Sequence, residues 1–489
     1  MAKRTAIIDI GSNSARMILI ERTSRFGFFL LNETKSRVRI SEGAYEHEGW
    51  LQEVPMQRAL HALKEFKNIA LAFKAKKILC VATSAVRDAP NGKEFKNLVK
   101  KETGINIKII DGDTEAKLGA IAAANLLPIR DGITIDIGGG STELALIRNK
   151  EVIKSISLNL GTVRLKELFF DKEKNIKEAL LYIHEEMQKI PQDFKNNCAI
   201  GIGGTIRALS QAIMKKTAYP LDKLHGFTYD YSQEKKFIDK IIETPVLKLK
   251  KFSIKKDRYD TIKEGSLIFR EIVNHIGAKK IITSGVGVRE GLFLYDLLRN
   301  SNYKFPANFQ PSLRSLLDRF CIDEKAAKCH YKFTKKLYNT LYEQFDPKRE
   351  HEKILLYAAK LLNIGIKIDF YEHHKHSSYI CLNDLEYDLT HQEIVTIAML
   401  VRFHKKKLPN KDVTKPFAQL LPKSSILAWM SFILALAESL NKDHSCPDFE
   451  ASFTNDVLTI TSSKPLYLAR EEAKSLQKPQ SFALKFVSS

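Results

Sequence analysis

The chain has 489 residues, of which 44% are hydrophobic and 28% are charged, and its formal net charge is +21. This composition excludes wholesale disorder, and the length predicts two to four domains. The six cysteines include no CxxC pair, which indicates reduced thiols and argues against a disulfide framework or a zinc site. The longest apolar run, residues 426–437, is shorter than the roughly 20 residues that span a bilayer and predicts a buried helix. No signal peptide is recognisable, so we expect a cytoplasmic protein without a membrane partner.

The basic charge is spread through the chain and would attract polyanions such as nucleic acid, polyphosphate or nucleotides. A solvated basic surface explains the charge equally well. The sequence shows no helix-turn-helix, zinc-finger or RNP-type signature, so nucleic acid is not expected as a partner.

The first 300 residues contain an internal duplication. Residues 6–20 and 133–147 share seven identical positions at an offset of 127 residues. Each segment predicts a strand, an Asp-Ile-Gly turn and a second strand, and a third strand follows at 27–32 or 152–157.

The elements after each hairpin repeat as well. In the first half we predict helices over 52–73, 93–102 and 113–125 and strands over 77–82 and 106–110. In the second half we predict helices over 176–190, 205–214, 260–276 and 288–298 and strands over 199–202 and 280–284. Three strands followed by alternating helices and strands is the ribonuclease-H-like layout. The sequence therefore predicts an α/β fold with domains over 1–125 and 126–300 and a ligand cleft between them.

The two Asp-Ile-Gly turns have the composition of phosphate-binding loops. Glycines and small polar side chains leave backbone N–H groups free to bind phosphate oxygens. An ordinary hairpin turn is the alternative for a single loop, but two copies in a duplicated core favour phosphate binding. The predicted phosphate-binding residues are Gly11, Ser12, Asn13, Ser14, Gly138, Gly139, Gly140, Ser141 and Thr142.

An aspartate precedes each turn, Asp9 in the first and Asp136 in the second. Carboxylates at the ends of these strands could hold Mg²⁺ against the same phosphates. The alternative is that each aspartate only accepts hydrogen bonds from the turn backbone.

The two segments DIGSNSARM and DIGGGSTEL resemble the phosphate motifs of the exopolyphosphatase/guanosine-pentaphosphate phosphatase (Ppx/GppA) family, in the actin–chaperone–sugar-kinase superfamily. Further matches follow in order: ATSAVRDA, IDGDTEAKLG, LGTVRL, GIGGTIRAL, LHGFTY and SGVGVREGL. The resemblance implies two actin-like domains around a cleft, Mg²⁺ as cofactor and a homodimer. It also implies removal of terminal phosphates from inorganic polyphosphate, or conversion of pppGpp to ppGpp in the stringent response.

The resemblance also implies roles for individual side chains. Glu115 matches the family's catalytic base, although a first-turn glutamate also complements a helix dipole. Glu143 matches a second carboxylate that acts on metal or water; the alternative is an exposed strand position. Arg87 matches a phosphate-contacting arginine; the alternative is a salt bridge to Asp88 or another carboxylate.

Weaker candidates come from the remaining motifs. Gly203, Gly204 and Thr205 are predicted to bring backbone close to the ligand. Arg16, Arg164 and Arg207 are candidates for lining the phosphate path. For the segment 289–291, a helix start with core packing is as good an explanation as ligand contact.

After a linker over 300–312, helical patterning predicts helices over 324–345, 350–365, 391–403 and 424–440, and the tail predicts one or two strands and a helix. Residues 310–489 resemble a degraded HD-type helical domain, predicted to be all-α. Leu362-Asn363 stand where an active HD domain has its His-Asp pair, and Asn441 replaces the last aspartate.

Several histidines remain in this region: His330, His373, His374, His376 and His404. Because the sequence shows no carboxylate partners for them, we expect no catalytic metal centre here and no effect of chelation on turnover. Binding of a long anionic substrate or dimerisation is the expected role of the domain.

Two alternatives to a phosphohydrolase stay open at this point. One is an ATP-using kinase or ATPase of the same superfamily, which is disfavoured because SGVGVREG lacks the glycine-rich adenosine loop of such enzymes. The other is a non-catalytic sensor of alarmone or polyphosphate, which the intact Glu115 and Glu143 do not favour.

Overall fold

The computed structural model describes residues 3–44, 46–171 and 176–488. The chain forms two compact units, Met1–Pro311 and Ser312–Ser489.

The first unit contains two sheets. The first sheet has the order β3-β2-β1-β4-β5, with β1 (Lys3–Ile10), β2 (Ala15–Arg22), β3 (Phe28–Ser36), β4 (Lys77–Ala82) and β5 (Ile107–Ile109). The second has the order β10-β11-β9-β6-β7-β8, with β6 (Gly132–Ile137), β7 (Thr142–Arg148), β8 (Glu151–Leu158), β9 (Cys198–Ile202), β10 (Thr228–Asp230) and β11 (Lys280–Thr283). In both sheets an antiparallel three-stranded meander continues into parallel strands, as the duplication predicts.

The helices of this unit are α1 (Glu53–Ala72), α2 (Ser84–Arg87), α3 (Gly92–Thr103), α4 (Gly112–Leu126), α5 (Thr162–Leu165), α6 (Ile176–Met187), α7 (Gly203–Lys216), α8 (Tyr231–Glu243), α9 (Ile262–Ile276) and α10 (Val288–Leu297). Short π- or 3₁₀-helical segments lie at Lys166–Phe170, Val246–Phe252 and Lys256–Arg258. The predicted strand at 77–82 coincides with β4, whereas the sequence analysis assigned neither β10 nor α8. The start of α8 is set by Asp230, whose side chain accepts a hydrogen bond from the Ser232 N–H.

The strand β1 is apolar and lies in the middle of its sheet, between β2 and β4. Ala6, Ile7, Ile8 and Ile10 are almost completely buried. Asp9 interrupts this apolar run at the end of the strand, where the chain turns into the first loop. The strand β6 repeats the arrangement with Asp136.

Each sheet packs against a helix that follows the other sheet in the chain. The helix α4 follows the first sheet in the chain but packs on β6, β7 and β8 of the second. The helix α10 follows the second sheet and packs on β1 of the first and on α4. This exchange ties the two sheets together and brings the N-terminus of α4 to the second loop's hairpin.

The second unit is mostly helical, with α11 (Pro311–Phe320), α12 (Glu324–Leu341), α13 (Glu352–Leu361), α14 (His373–Asp384), α15 (His391–Arg402), α16 (Lys411–Thr414), α17 (Ser424–Leu440) and α18 (Tyr467–Ala473). It also contains a sheet of β12 (Glu450–Thr454), β13 (Val457–Ser462) and β14 (Ala483–Ser488). The prediction of an all-α domain is therefore corrected: the C-terminal β14 pairs with β13 in parallel, which extends the predicted tail strands to a three-stranded sheet. The apolar run 426–437 lies in α17, which is largely buried.

The expectation of six reduced thiols is also wrong. Cys329 and Cys446 form a disulfide with a Cα–Cα distance of 5.8 Å, although 117 residues separate them in the chain. Only the fold of this unit places the two side chains together, so the cysteine spacing carried no signal.

Among the described residues, no single helix has both the length and the apolar character to cross a membrane. A helical pair bent by 116°, Lys411–Leu420 with Ser424–Leu440, is long and apolar enough only when its two parts are taken together.

Candidate active site

The two Asp-Ile-Gly loops have the same closing hydrogen bond. The Gly11 N–H donates to the Ser14 carbonyl at 3.2 Å, and the Gly138 N–H donates to the Ser141 carbonyl at 2.9 Å. The loops leave the carboxyl ends of β1 and β6, where the neighbouring parallel strands β4 and β9 also end. The carboxyl edge of parallel strands is the usual ligand-binding edge of such a sheet.

The loops approach each other closely across the cleft. A Cβ at Gly139 would lie 2.8 Å from the Ser12 Cβ, a distance that real Cβ atoms do not adopt. The contact requires glycine at position 139, and it confirms that the two loops face each other.

A cavity of about 160 Å³ lies between the loops. It is lined by most of the residues predicted for the site: Asp9, Gly11, Ser12, Asn13, Ser14, Glu115, Asp136, Gly138, Gly139, Ser141, Gly203, Gly204 and Thr205. These residues come from both sheets and from the N-termini of α4 and α7, and they form one site.

Four predicted site residues do not line this cavity: Gly140, Thr142, Arg87 and Glu143. The Thr142 hydroxyl donates to the Leu160 carbonyl and so supports the loop from behind. Glu143 is only 2% exposed, and its Oε1 accepts a hydrogen bond from Ser157 at 2.9 Å. The prediction that Glu143 is an exposed strand position, offered as the alternative, is wrong.

Gly203 brings the backbone against the second aspartate. Its φ is +87°, in the left-handed region, and a Cβ there would lie 2.6 Å from the Asp136 Oδ1. Any other residue would be strained and would also displace the Asp136 carboxylate.

The two loops differ in the residue that lies opposite the aspartate on the neighbouring strand. Asp9 pairs in register with Arg16, whereas Asp136 pairs with Glu143. Directly opposite side chains in an antiparallel pair are close neighbours, so opposite charges stabilise and like charges repel. The duplicated hairpins therefore provide one balanced pair and one doubly acidic pair.

All four carboxyl groups of the site have raised pKa values. Burial and the Asp136 charge raise the pKa of Glu143 to about 8, and burial raises the pKa of Asp136 to about 6 against the opposing effect of Arg207. Burial, followed by the charges of Glu143 and Asp9, raises the pKa of Glu115 well above its usual value. Burial also raises the pKa of Asp9, although Arg289 and Arg16 oppose it. Strongly raised carboxyl pKa values in a cleft are typical of catalytic and metal-binding sites.

Arg87 contacts Glu115. Its Nη1 donates to the Glu115 Oε2 at 3.2 Å and to the Ile110 carbonyl at 3.3 Å, and its Nε donates to Asp88 at 3.1 Å. In this structure Arg87 therefore lies behind Glu115 and holds its carboxylate, which matches the salt-bridge alternative of the sequence analysis.

The cavity wall also carries five cationic side chains: Arg16, Lys35, Arg207, Arg258 and Arg289. Arg16 and Arg207 were weak candidates from the sequence, and core packing explained Arg289 as well as ligand contact did. Lys35 and Arg258 were not predicted. Neither of the missed residues stands in a recognisable motif, so the sequence held no signal for them. Burial and the charges of Arg289 and Arg207 lower the pKa of Arg16 to about 10. Such crowding of cations favours an anionic ligand with several charges.

Two of these arginines have fixed orientations. The Arg207 guanidinium donates to the carbonyls of Gly203 at 2.9 Å and Gly285 at 3.0 Å. Arg289 donates to Glu33 at 2.8 Å. Arg164, another weak candidate, donates to the Gly140 carbonyl at 2.8 Å and so supports the second loop from outside the cavity.

The residues present fit a divalent cation. Asp9 Oδ1 is buried and has no hydrogen-bond partner among the described residues. Burial of such an oxygen costs free energy unless a ligand binds to it. Oxygen ligands of this kind suit Mg²⁺.

The duplicated sheets, with their two facing loops and the cavity between them, have the architecture of the actin-like fold. A family model for the Ppx/GppA phosphatase family matches residues 8–300, and one for domain III of Ppx/GppA phosphatases matches residues 310–480. The chain belongs to the Ppx/GppA phosphatase family.

Individual relatives agree with this assignment. A guanosine-5'-triphosphate,3'-diphosphate pyrophosphatase of Pseudoalteromonas translucida is 26% identical over 93% of this chain and 91% of its own. An enzyme of the same name from Aeromonas hydrophila is 28% identical over 77% of this chain and 76% of its own. The crystal structure of an Aquifex aeolicus family member is 30% identical with a TM-score of 0.53, and covers 62% of this chain and 99% of its own. Membership of this family makes the protein a phosphohydrolase, and these relatives do not favour the kinase or the sensor.

Proposed function

We propose that the protein removes terminal phosphates from pppGpp and inorganic polyphosphate by Mg²⁺-assisted attack of water. The observation that carries the proposal is the position of Glu115. This carboxylate, whose side chain is 12% exposed and whose pKa is raised, lines a cavity between two facing phosphate-type loops.

The reaction proceeds in one step. Glu115 orients a water molecule and accepts its proton while the water oxygen bonds to the terminal phosphorus. The bond from that phosphorus to the bridging oxygen breaks, and orthophosphate leaves together with a product shorter by one phosphate. A general base works best when its pKa lies near the operating pH, and burial moves Glu115 in that direction.

The chain's own donors and cations would hold the substrate. Ser12, Asn13 and Ser141 of the loops line the cavity, and its basic side chains can bind phosphate oxygens. Phosphoryl transfer depends mainly on such positioning and charge neutralisation. A terminal phosphate looks the same at the end of pppGpp and of polyphosphate, so one site serves both.

We propose that Asp9, Asp136 and Glu143 hold Mg²⁺, which when bound would neutralise charge on the phosphate oxygens. Glu143 acts from behind the cavity wall, next to Asp136.

The test measures phosphate release with Mg²⁺ on pppGpp, long-chain polyphosphate and ATP, for the wild type and Glu115→Gln. We expect release from the first two substrates but hardly from ATP, and a loss in kcat of at least about 100-fold in Glu115→Gln with binding largely preserved. Asp113→Asn is the matched control, because Asp113 is an exposed carboxylate in the same helical turn. An unchanged kcat in Glu115→Gln would remove this residue from the role of base, and release from ATP alone would contradict the proposed substrates.

The homodimer stays a prediction from the family resemblance, and the cytoplasmic location stays a prediction from the sequence. Light scattering of the purified full-length chain measures the first: a mass near twice 55.7 kDa is the expected result.

A further inference from the structure

Three side chains of the second unit converge at a point that the catalytic proposal does not use. His373 begins α14, His404 follows α15, and Glu438 lies near the end of α17. One ligand atom from each lies within 4.8 Å of the others. His404 is completely buried, and His373 is 7% exposed.

The hydrogen bonds of the two imidazoles define their tautomers. His373 Nδ1 lies 2.9 Å from the Phe370 carbonyl, and His404 Nδ1 lies 2.6 Å from the Val401 carbonyl. A carbonyl oxygen only accepts, so each Nδ1 carries a proton, and in this tautomer each Nε2 presents a lone pair. A backbone carbonyl on the far nitrogen is the usual support of a metal-binding histidine.

Both Nε2 atoms are buried and have no hydrogen-bond partner within the described part of the chain. The distance between His404 Nε2 and Glu438 Oε2 is 3.6 Å, which is too long for a hydrogen bond. Two buried acceptors without donors are costly unless a ligand binds them.

Glu438 completes the cluster as an anion. Its two oxygens accept from the Lys405 ammonium at 2.8 and 3.0 Å. Lys405 thus orients a carboxylate that retains lone pairs for a further partner.

A cavity of about 400 Å³ reaches His404 and Glu438 and provides access from solvent. Its wall also carries Lys375, Arg402 and Lys406. Basic surroundings disfavour Mg²⁺ and Ca²⁺, which need several oxygen anions. They matter less for a transition metal, whose affinity comes from coordination by imidazole nitrogen.

We propose that His373, His404 and Glu438 bind a divalent transition metal, with Zn²⁺ the ion best suited to two imidazoles and one carboxylate. These ligands differ from the HD positions, since Leu362-Asn363 and Asn441 take no part. The carboxylate that the sequence analysis did not find is Glu438, one helical turn before Asn441. The site is separate from the proposed active site and does not rest on it.

The experiment uses the full chain, freed of metal and titrated with Co²⁺ as a spectroscopic substitute for Zn²⁺. Mg²⁺ is kept in excess so that the acidic cavity of the first unit is occupied. We expect one Co²⁺ per chain with a visible absorption band, displaced by one equivalent of Zn²⁺. Glu438→Gln and His404→Gln should each weaken Co²⁺ binding at least about 100-fold.

Two control variants should keep the band: His376→Ala, a histidine on the same helix outside the cluster, and Asp9→Asn in the first unit. Circular dichroism of each variant establishes that it is folded. The proposal is overturned if the wild type shows no band, if Glu438→Gln retains it, or if Asp9→Asn abolishes it. The first outcome would mean that Glu438, His404 and Lys405 form only a buried charge cluster.

Discussion

At the scale of single residues, the site depends on contacts that hold carboxylates in unfavourable surroundings. Asp136 lies beside Glu143 on one side and beside the Gly203 backbone on the other. Neither neighbour relieves its charge, and its pKa is raised to about 6 mainly by burial. Such a group gains strongly from a cation or from the arginines opposite it.

Gly203→Ala tests the contact with Asp136. The alanine would be strained at φ +87°, and its Cβ would push the Asp136 carboxylate away. We expect kcat/KM for phosphate release to fall on the order of 10- to 100-fold, because small displacements in a catalytic site are costly.

Gly277→Ala is the matched control for this substitution. Gly277 also has a left-handed φ, +74°, but a Cβ there would have nothing within 4 Å. It should lose about 1 kcal/mol of stability and keep its activity. Equal activity losses in the two variants would contradict a specific role for Gly203.

Arg87→Gln tests the positioning of Glu115. The Arg87 charge opposes the burial that raises the pKa of Glu115, so its removal should raise that pKa further. A general base must be deprotonated, so the acidic limb of the pH profile of kcat/KM should move to higher pH. Arg87→Lys should restore part of the shift, and a pH profile identical to the wild type in Arg87→Gln would contradict the pairing.

At the scale of elements, the β6–β7 hairpin places the carboxyl groups of Asp136 and Glu143 side by side, where ionisation of Glu143 is unfavourable. The pKa of Glu143 is about 8 in the folded state, mainly because of burial, against about 4.5 in the unfolded chain. A raised folded pKa favours folding below the unfolded value, and this advantage is lost as the pH rises through 8. Each pKa unit corresponds to about 1.4 kcal/mol.

Thermal unfolding between pH 5 and pH 9 measures this effect. Without Mg²⁺, we expect Glu143→Gln to gain stability over the wild type as the pH rises, by a few kcal/mol at most. Excess Mg²⁺ should raise the Tm of the wild type more at pH 8.5 than at pH 5.5, because the cation binds the ionised carboxylates. A pH-independent difference between the two proteins would show that Glu143 is ionised at little cost.

At the scale of the whole molecule, we expect the first unit to carry out catalysis and the second to assist the binding of long-chain polyphosphate. The match to the Aquifex aeolicus structure includes 99% of that chain but only 62% of this one. A family member therefore exists that has little more than the first unit. All residues of the proposed active site lie in Met1–Pro311.

A chain ending at Pro311 should therefore fold and release phosphate from pppGpp with a kcat within about threefold of the full chain. On long-chain polyphosphate its KM should rise, because the basic surface of the second unit is lost. Phosphate release on both substrates, with circular dichroism as the folding control, measures this. A folded truncation that is inactive on pppGpp would show that the second unit is needed for catalysis itself.

The sequence was sufficient wherever function depends on local backbone chemistry. The repeated Asp-Ile-Gly loops and the position of Glu115 at the start of a helix were predicted, because short spacings in the chain determine them. The two loops and Glu115 line one cavity, as expected. Except for β10 and α8, the order of the main strands and helices in the first 300 residues followed from the same duplication.

Tertiary structure decided the features that join distant residues. The exchange of α4 and α10, the cations Lys35 and Arg258 in the cavity wall, and the Cys329–Cys446 disulfide depend on contacts between segments far apart in the chain. The same holds for Glu438 beside His373 and His404. The physical reason is that local sequence sets backbone conformation, whereas burial and long-range packing decide which side chains meet and hence their charge states.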